Sequence, residues 1–103
     1  DLFRDCIALR QVKINKNWKY IENRFFYNCR NLTSVNIPSK VRRVGSKAFG
    51  NCRSLKKMKM PKSVKKIEKD AFKGCKKLTL YVKRGSYAHK YAKKYHVKYK
   101  YWK

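Results

Sequence analysis

A 23-residue period runs through this chain of 103 residues and leaves few folds open to it. Phe3, Phe26, Phe49 and Phe72 share one column; Cys6, Cys29, Cys52 and Cys75 share a second; Leu9, Leu32, Leu55 and Leu78 share a third. Four further apolar columns follow: Val12, Val35, Met58; Ile14, Ile37, Met60; Trp18, Val41, Val64; and Ile21, Val44, Ile67. The register holds without an insertion. Self-similarity at a fixed period of this length marks a solenoid, in which each coil touches only its neighbours and buries its apolar side only by stacking. At the β-spacing of about 4.8 Å per coil, four coils give a slab roughly 15–20 Å long.

Each unit reads Ile-Pro-x-x-Val-x-x-Val-Gly-x-x-Ala-Phe-x-x-Cys-x-x-Leu-x-x-Val-x-Ile, with Met58 and Met60 in the last two apolar places of the central one. Residues 1–14 are the tail of a coil, and 15–37, 38–60 and 61–83 are successive units. The end of each unit alternates apolar and polar, which predicts short strands within 32–37 and 55–60. Pro38 and Pro61 follow and stop the pairing, since proline donates no ladder hydrogen bond. Val41–Val44 and Val64–Ile67 place apolar residues three apart on a second side, as short strands or extended segments. Ser46–Phe49 and Lys69–Phe72 suit a turn of 3₁₀- or α-helix with the Phe directed inward.

These residues resemble the BspA-type leucine-rich repeat, known also from treponemal proteins. Ile37-Pro-Ser-Lys-Val41 and Met60-Pro-Lys-Ser-Val64 carry its signature, as do Ala48-Phe-Gly-Asn-Cys52 and Ala71-Phe-Lys-Gly-Cys75. The resemblance covers 1–83 and extends into 78–92, which is similar to the segment that closes such arrays. It implies a bacterial surface or secreted protein, here the C-terminal end of a longer array, that binds protein or adheres through its strand face. Departures are Trp18 and Phe25 for Val and Ala, Asn15 for Pro, and Glu22 and Glu68 where Gly is usual; they predict local repacking.

The expected fold is therefore an α/β repeat solenoid. It is a short leucine-rich-repeat stack of 23-residue coils with short parallel strands over 1–83, closed by a C-terminal helix–strand cap over 84–103. In that cap Ser86 is a good N-cap. Tyr87, Tyr91 and Tyr95, with Ala88 and Ala92, make one helical face over 86–95. Val97, Tyr99 and Tyr101 then alternate with lysines as a last strand. Leu78, Leu80 and Val82 alternate strictly, so their strand lacks the extra residue that separates Leu55 from Met58.

Charge sets the functional question. Lys and Arg number 30 against 5 Asp and Glu, a formal +25 that draws polyanions. Residues 53–103 hold 19 of the basic side chains and 2 of the acids. With 43% hydrophobic residues in periodic positions, such a charge does not imply disorder. Stacking converts the period into rows: Lys19, Arg42, Lys65; Tyr20, Arg43, Lys66; and Arg30, Arg53, Lys76, with Lys56, Lys57 and Lys59 on the strand face. The resemblance implies a protein partner; the charge points alternatively to a polyanion such as nucleic acid, an anionic glycan or a cell-wall polymer, or else to a surface that serves solubility alone.

Enzyme chemistry is not expected. Glu22 and Glu68 share a column about 10 Å apart, the spacing of an inverting glycosidase pair. Gly45 and lysines surround them, as on a solvated face. His89 and His96 have no matched acid or thiol near them in sequence. The Cys spacing does not suit zinc, and in-register thiols point in parallel, which fits a disulfide poorly. The four cysteines are expected to be reduced, buried and aligned, with no cofactor and no metal. No apolar run is long enough for a transmembrane segment.

Overall fold

The computed structural model describes residues 10–102. Phe3, Cys6 and Leu9, the first members of three columns, lie outside them. In chain order the elements are β1 (Tyr20–Ile21), β2 (Ser34–Asn36), β3 (Arg43–Val44), β4 (Lys57–Met60), β5 (Lys66–Ile67), β6 (Thr79–Val82), α1 (Tyr87–Lys94) and β7 (Tyr99–Tyr101). They build two parallel sheets, one ordered β1-β3-β5 and the other β2-β4-β6-β7.

The period is the register. Tyr20 pairs with Arg43 and Arg43 with Lys66, while Ile21, Val44 and Ile67 follow on the inner side. In the larger sheet Val35 pairs with Met58, 23 residues on. Met58 then pairs with Leu80, 22 residues on, so β6 does drop one residue. Pairing continues through Leu80 and Tyr99 into β7. Strands β2 and β4 begin two residues later than the alternation suggests.

Ladder bonds also join the coils where no strand forms. On the turn side the Phe26 N–H donates to Ala48 O at 2.7 Å, and Phe49 N–H to Ala71 O at 2.9 Å. Asn28 N–H reaches Gly50 O and Asn51 N–H reaches Lys73 O, both at 2.7 Å. The segments around Phe49 and Phe72 are single turns, not helix: Ala48, Gly50, Ala71 and Lys73 N–H close turns onto the carbonyl three residues back, while Phe49 and Asn51 N–H in between bond forward to the next coil, so no continuous helical ladder forms around Phe49. Among the described residues, helix is confined to α1. The turn needs a left-handed residue before each Cys: Asn28 (φ 66°), Asn51 (φ 58°) and Gly74 (φ 85°). Asn and Gly are the residue types that enter this region at least cost.

The departures from the repeat have local partners. Trp18 and Phe25 pack edge to face at 5.1 Å, so the two enlarged side chains of one coil fill each other's space. Asn15 accepts the Asn17 N–H at 2.8 Å through its side chain, and Trp18 N–H bonds Asn15 O at 3.1 Å. That is the turn Pro38 makes with Val41 N–H, also at 3.1 Å. A Cβ on Gly45 would stand 2.5 Å from Asn23 Oδ1, which itself accepts the Ser46 N–H. In the next coil Glu68 holds the same column, and Ser46, one coil on from Asn23, turns its hydroxyl to Asp70 at 2.9 Å.

The core runs along the stack as an aromatic column. Phe26 and Phe49 stack at 5.1 Å, and Phe49 and Phe72 at 5.7 Å, each pair with planes 13° apart. Tyr91 of α1 ends the column edge-on to Phe72 at 6.1 Å. Its hydroxyl donates toward Lys69 O at 3.0 Å and Glu68 O at 3.3 Å, and burial pushes it above the ordinary tyrosine range. Ser86 Oγ accepts the His89 N–H at 3.2 Å as the helix N-cap. Ala88, Tyr91 and Ala92 are the buried face of α1. The Gly85 N–H donates to His89 Nδ1 at 2.9 Å, which requires that nitrogen unprotonated. Desolvation, then the charges of Lys93 and Arg84, lower the His89 pKa in the same sense.

Phe49 touches a ring on both sides and is wholly buried, so Phe49→Ala should cost about 3–5 kcal/mol and unfold so short a stack. A thermal melt checks this; a midpoint within a few degrees of the parent would contradict the column.

Candidate functional site

The outward positions of the larger sheet follow from its register. One row runs Asn36, Lys59, Tyr81, Lys100, and a second runs Ser34, Lys57, Thr79. Trp102, just past β7, is anchored by donation from its backbone N–H to Val82 O and from its Nε1 to Met60 O. The Lys83 ammonium lies 4.0 Å from its ring centre and that of Lys59 5.3 Å. Cations at this range from an indole gain about 0.5–1 kcal/mol at exposed sites.

At the corner where β4, the turn before β6 and the approach to β7 meet, an open groove of about 730 Å³ is formed. Lys56, Lys57, Lys76, Lys77, Lys98 and Lys100 line it together with His96, and among the described residues no carboxylate does. Phe72, Leu78, Val97 and Cys75 contribute apolar wall. Each pair of exposed like charges at 5 Å repels by roughly 0.8 kcal/mol in water before screening. The acids on the adjoining turn are engaged elsewhere. Glu68 pairs with Arg43 at 3.3 Å and Asp70 accepts from Ser46 Oγ at 2.9 Å.

All eleven basic residues singled out in the sequence are exposed, but they occupy different sides of the stack. Lys19, Arg42 and Lys65 are in line, joined by backbone bonds of 2.7 and 2.8 Å. Arg43 and Lys66 are paired beside them, and Arg43 shares its charge with Glu68. Arg30, Arg53 and Lys76 lie along the turn side. Lys56, Lys57 and Lys76 meet in the groove. Lys65 instead lines a second groove of about 420 Å³ with Lys62, Arg84 and Lys90. Lys77, His96, Lys98 and Lys100 were missing from the sequence-based set. The last three lie at or before β7, outside the 23-residue period, so column arithmetic could not place them beside Lys57.

Glu22 is exposed, and Glu68 belongs to its ion pair with Arg43. Among the described residues no three His, Cys, Asp or Glu side chains gather where they could hold a metal ion. No helix among them is long and apolar enough to cross a membrane.

With the coil geometry in place, the comparison with known sequences is decisive. The sequence model of the BspA type leucine rich repeat region (6 copies) matches residues 1–91. The chain belongs to the BspA-type leucine-rich-repeat family. Among solved structures, a leucine rich cell surface protein of Faecalibacterium prausnitzii is similar at 29% identity and a TM-score of 0.77, over 84% of this chain and 23% of that one. A leucine-rich repeat protein of Bacteroides ovatus shares the fold at 24% identity and a TM-score of 0.69, over 99% of this chain and 32% of that one. The chain thus spans less than a third of the length of each of these neighbours. No curated protein matches it.

In this BspA-type array the repeated cysteines are free thiols at Cys29, Cys52 and Cys75, and Cys6 lies outside the described residues. Their role is more specific than that of small apolar fillers. Cys52 Sγ donates to Phe26 O at 3.2 Å and Cys75 Sγ to Phe49 O at 2.9 Å, so each thiol caps a carbonyl of the coil before it. The adjacent Cys75 thiol and burial hold Cys52 well above the usual thiol range. The expectation that every cysteine is buried fails at Cys75. It belongs to the last repeat, no further repeat covers it, and its half-exposed side chain lines the groove.

A thiol reagent on the native protein should therefore modify Cys75 first and leave Cys29 and Cys52 unmodified until the stack unfolds. Mass spectrometry of the labelled peptides reads the order. Early labelling of Cys52 would contradict the packing.

Proposed function

We propose that this BspA-type array is a non-catalytic binding module displayed on a bacterial surface, and that it engages a protein partner through the outward face of β2-β4-β6-β7. The observation that carries this reading is the row Asn36–Lys59–Tyr81–Lys100 ending beside Trp102. Tyr81 and Trp102 are half-buried aromatic side chains held in place by the sheet, with lysines around them. Rigid aromatics beside cations are what protein interfaces use as anchors, because they cover large area at little entropic cost. Surface display is supported by the cell-surface description of the F. prausnitzii neighbour. Absence of catalysis is supported by the commitment of Glu68 and Asp70 to structural partners.

The test is retention of fluorescently labelled protein on a cell surface, before and after that surface is stripped with protease. Stripping should abolish retention, and Lys59→Ala with Tyr81→Ala should weaken it at least fivefold. Arg30→Ala with Arg53→Ala, on the turn side, should change it less than twofold. Retention that survives stripping, or that falls equally for both double variants, would overturn the proposal.

A further inference from the structure

We infer that the corner groove is a site for a linear phosphate polymer, one that adjoins the sheet row proposed above for protein and shares Tyr81 and Lys100 with it. Three observations converge on it. The first is the concentration of charge. Lys56, Lys57, Lys76, Lys77, Lys98 and Lys100 come from three segments distant in sequence and meet around one open volume of about 730 Å³ with no acid among the described residues of its lining. Such a cluster is self-repelling in the free protein, and a bound polyanion removes that repulsion while releasing its own counterions.

The second observation is the kind of cation. Every one of the six is lysine, although the chain has 8 arginines to draw on. Arginine's planar fork grips carboxylate and phosphate alike in a fixed bidentate geometry, whereas lysine is a mobile point charge, so six lysines suit contact with successive charges along a polymer without reading its units. Lysine is also depleted from the cores of protein interfaces, which argues against an acidic protein segment as the occupant of so lysine-dense a corner. The third observation is shape. The groove is open, so a chain longer than the groove can lie through it. Apart from the imidazole of His96, the aromatic lining is Tyr81, half-buried in β6, and Phe72, buried in the core, so no exposed Tyr, Phe or Trp platform among the described residues of the lining offers to stack a base. Recognition is therefore of the phosphate backbone, whether the units between phosphates are polyol, nucleoside or nothing.

Cys75 in the groove wall supplies a reporter within the native protein. The experiment titrates the chain with poly(glycerol phosphate), inorganic polyphosphate, a single-stranded oligonucleotide and poly-glutamate of matched charge, at about 0.15 M salt. Binding is read by fluorescence anisotropy, and Cys75 by its rate of reaction with a maleimide. All three phosphate polymers should bind, poly-glutamate at least tenfold more weakly. Saturating phosphate polymer should slow Cys75 labelling at least fivefold. Their relative affinities distinguish a cell-wall type of polymer from nucleic acid or polyphosphate, without bearing on where they bind.

The groove variant Lys76→Glu, Lys77→Glu, Lys98→Glu should lose at least tenfold in affinity and flatten the salt dependence of log K by about two. The equal-charge control Lys16→Glu, Lys19→Glu, Lys69→Glu should lose less than threefold. Equal losses in both variants would reduce the binding to net charge. Unprotected Cys75 in the wild-type protein, a measurement that needs no variant to fold, would place the polymer elsewhere. Poly-glutamate binding as tightly as the phosphates would assign the groove to an acidic protein segment. Each of these outcomes overturns the inference.

Discussion

Each coil in this protein is held by its neighbours and scarcely at all by itself. A coil of 23 residues encloses too little apolar surface to offset the entropy of ordering its chain. Stability therefore arises between coils, where parallel registers at β1-β3-β5 and β2-β4-β6 meet the turn-side amides of Phe26, Phe49 and Asn51 bonding forward to the next coil. A spacing of about 4.8 Å brings like residues into contact. Phe must stack on Phe, and a thiol can reach the carbonyl of the coil behind, as Cys52 and Cys75 do.

The same constraint shapes the surface. Whatever polar residue a repeat carries outward is laid beside its copy, so a lysine-rich repeat becomes a basic row whether or not the charge is useful. Arg43 escapes part of this repulsion by pairing with Glu68, and Lys59 by leaning on Trp102. The six groove lysines have no such partner in the groove lining. The end of the array concentrates them there, because β7 leaves the 23-residue period and adds Lys98 and Lys100 to a corner already occupied by Lys57 and Lys77.

Much of the stack was legible in the sequence because the period alone sets the inter-coil register. The columns of Phe, Leu and Val became the core, the shortened register at Leu80 followed from its alternation, and Ser86 and Tyr91 marked the helix and its buried face. Turn geometry was less legible. The segment Ser46–Phe49 has the composition of a helical turn, but the Ser46 N–H bonds Asn23 of the coil before and the Phe49 N–H bonds Ala71 O of the coil after, partners that only the assembled stack provides. The basic surface was legible as rows and not as a place. Rows such as Lys19–Arg42–Lys65 and Arg30–Arg53–Lys76 fall on different sides, and the groove depends on where β7 docks, a tertiary fact with no period behind it. Cys75 was misjudged for a related reason: a column predicts burial only where another repeat follows.

Native-state hydrogen exchange of the turn-side amides tests the stacking account most directly. Phe49 N–H and Asn51 N–H bond to the following coil and belong to no strand or helix. If the coils are stabilised by one another, these amides should exchange only by the opening that also releases the Met58 and Val44 strand amides, with the same free energy and the same denaturant dependence. Fast exchange at Phe49 and Asn51 while the strand amides stay protected would show that the sheets hold alone, and would contradict the account.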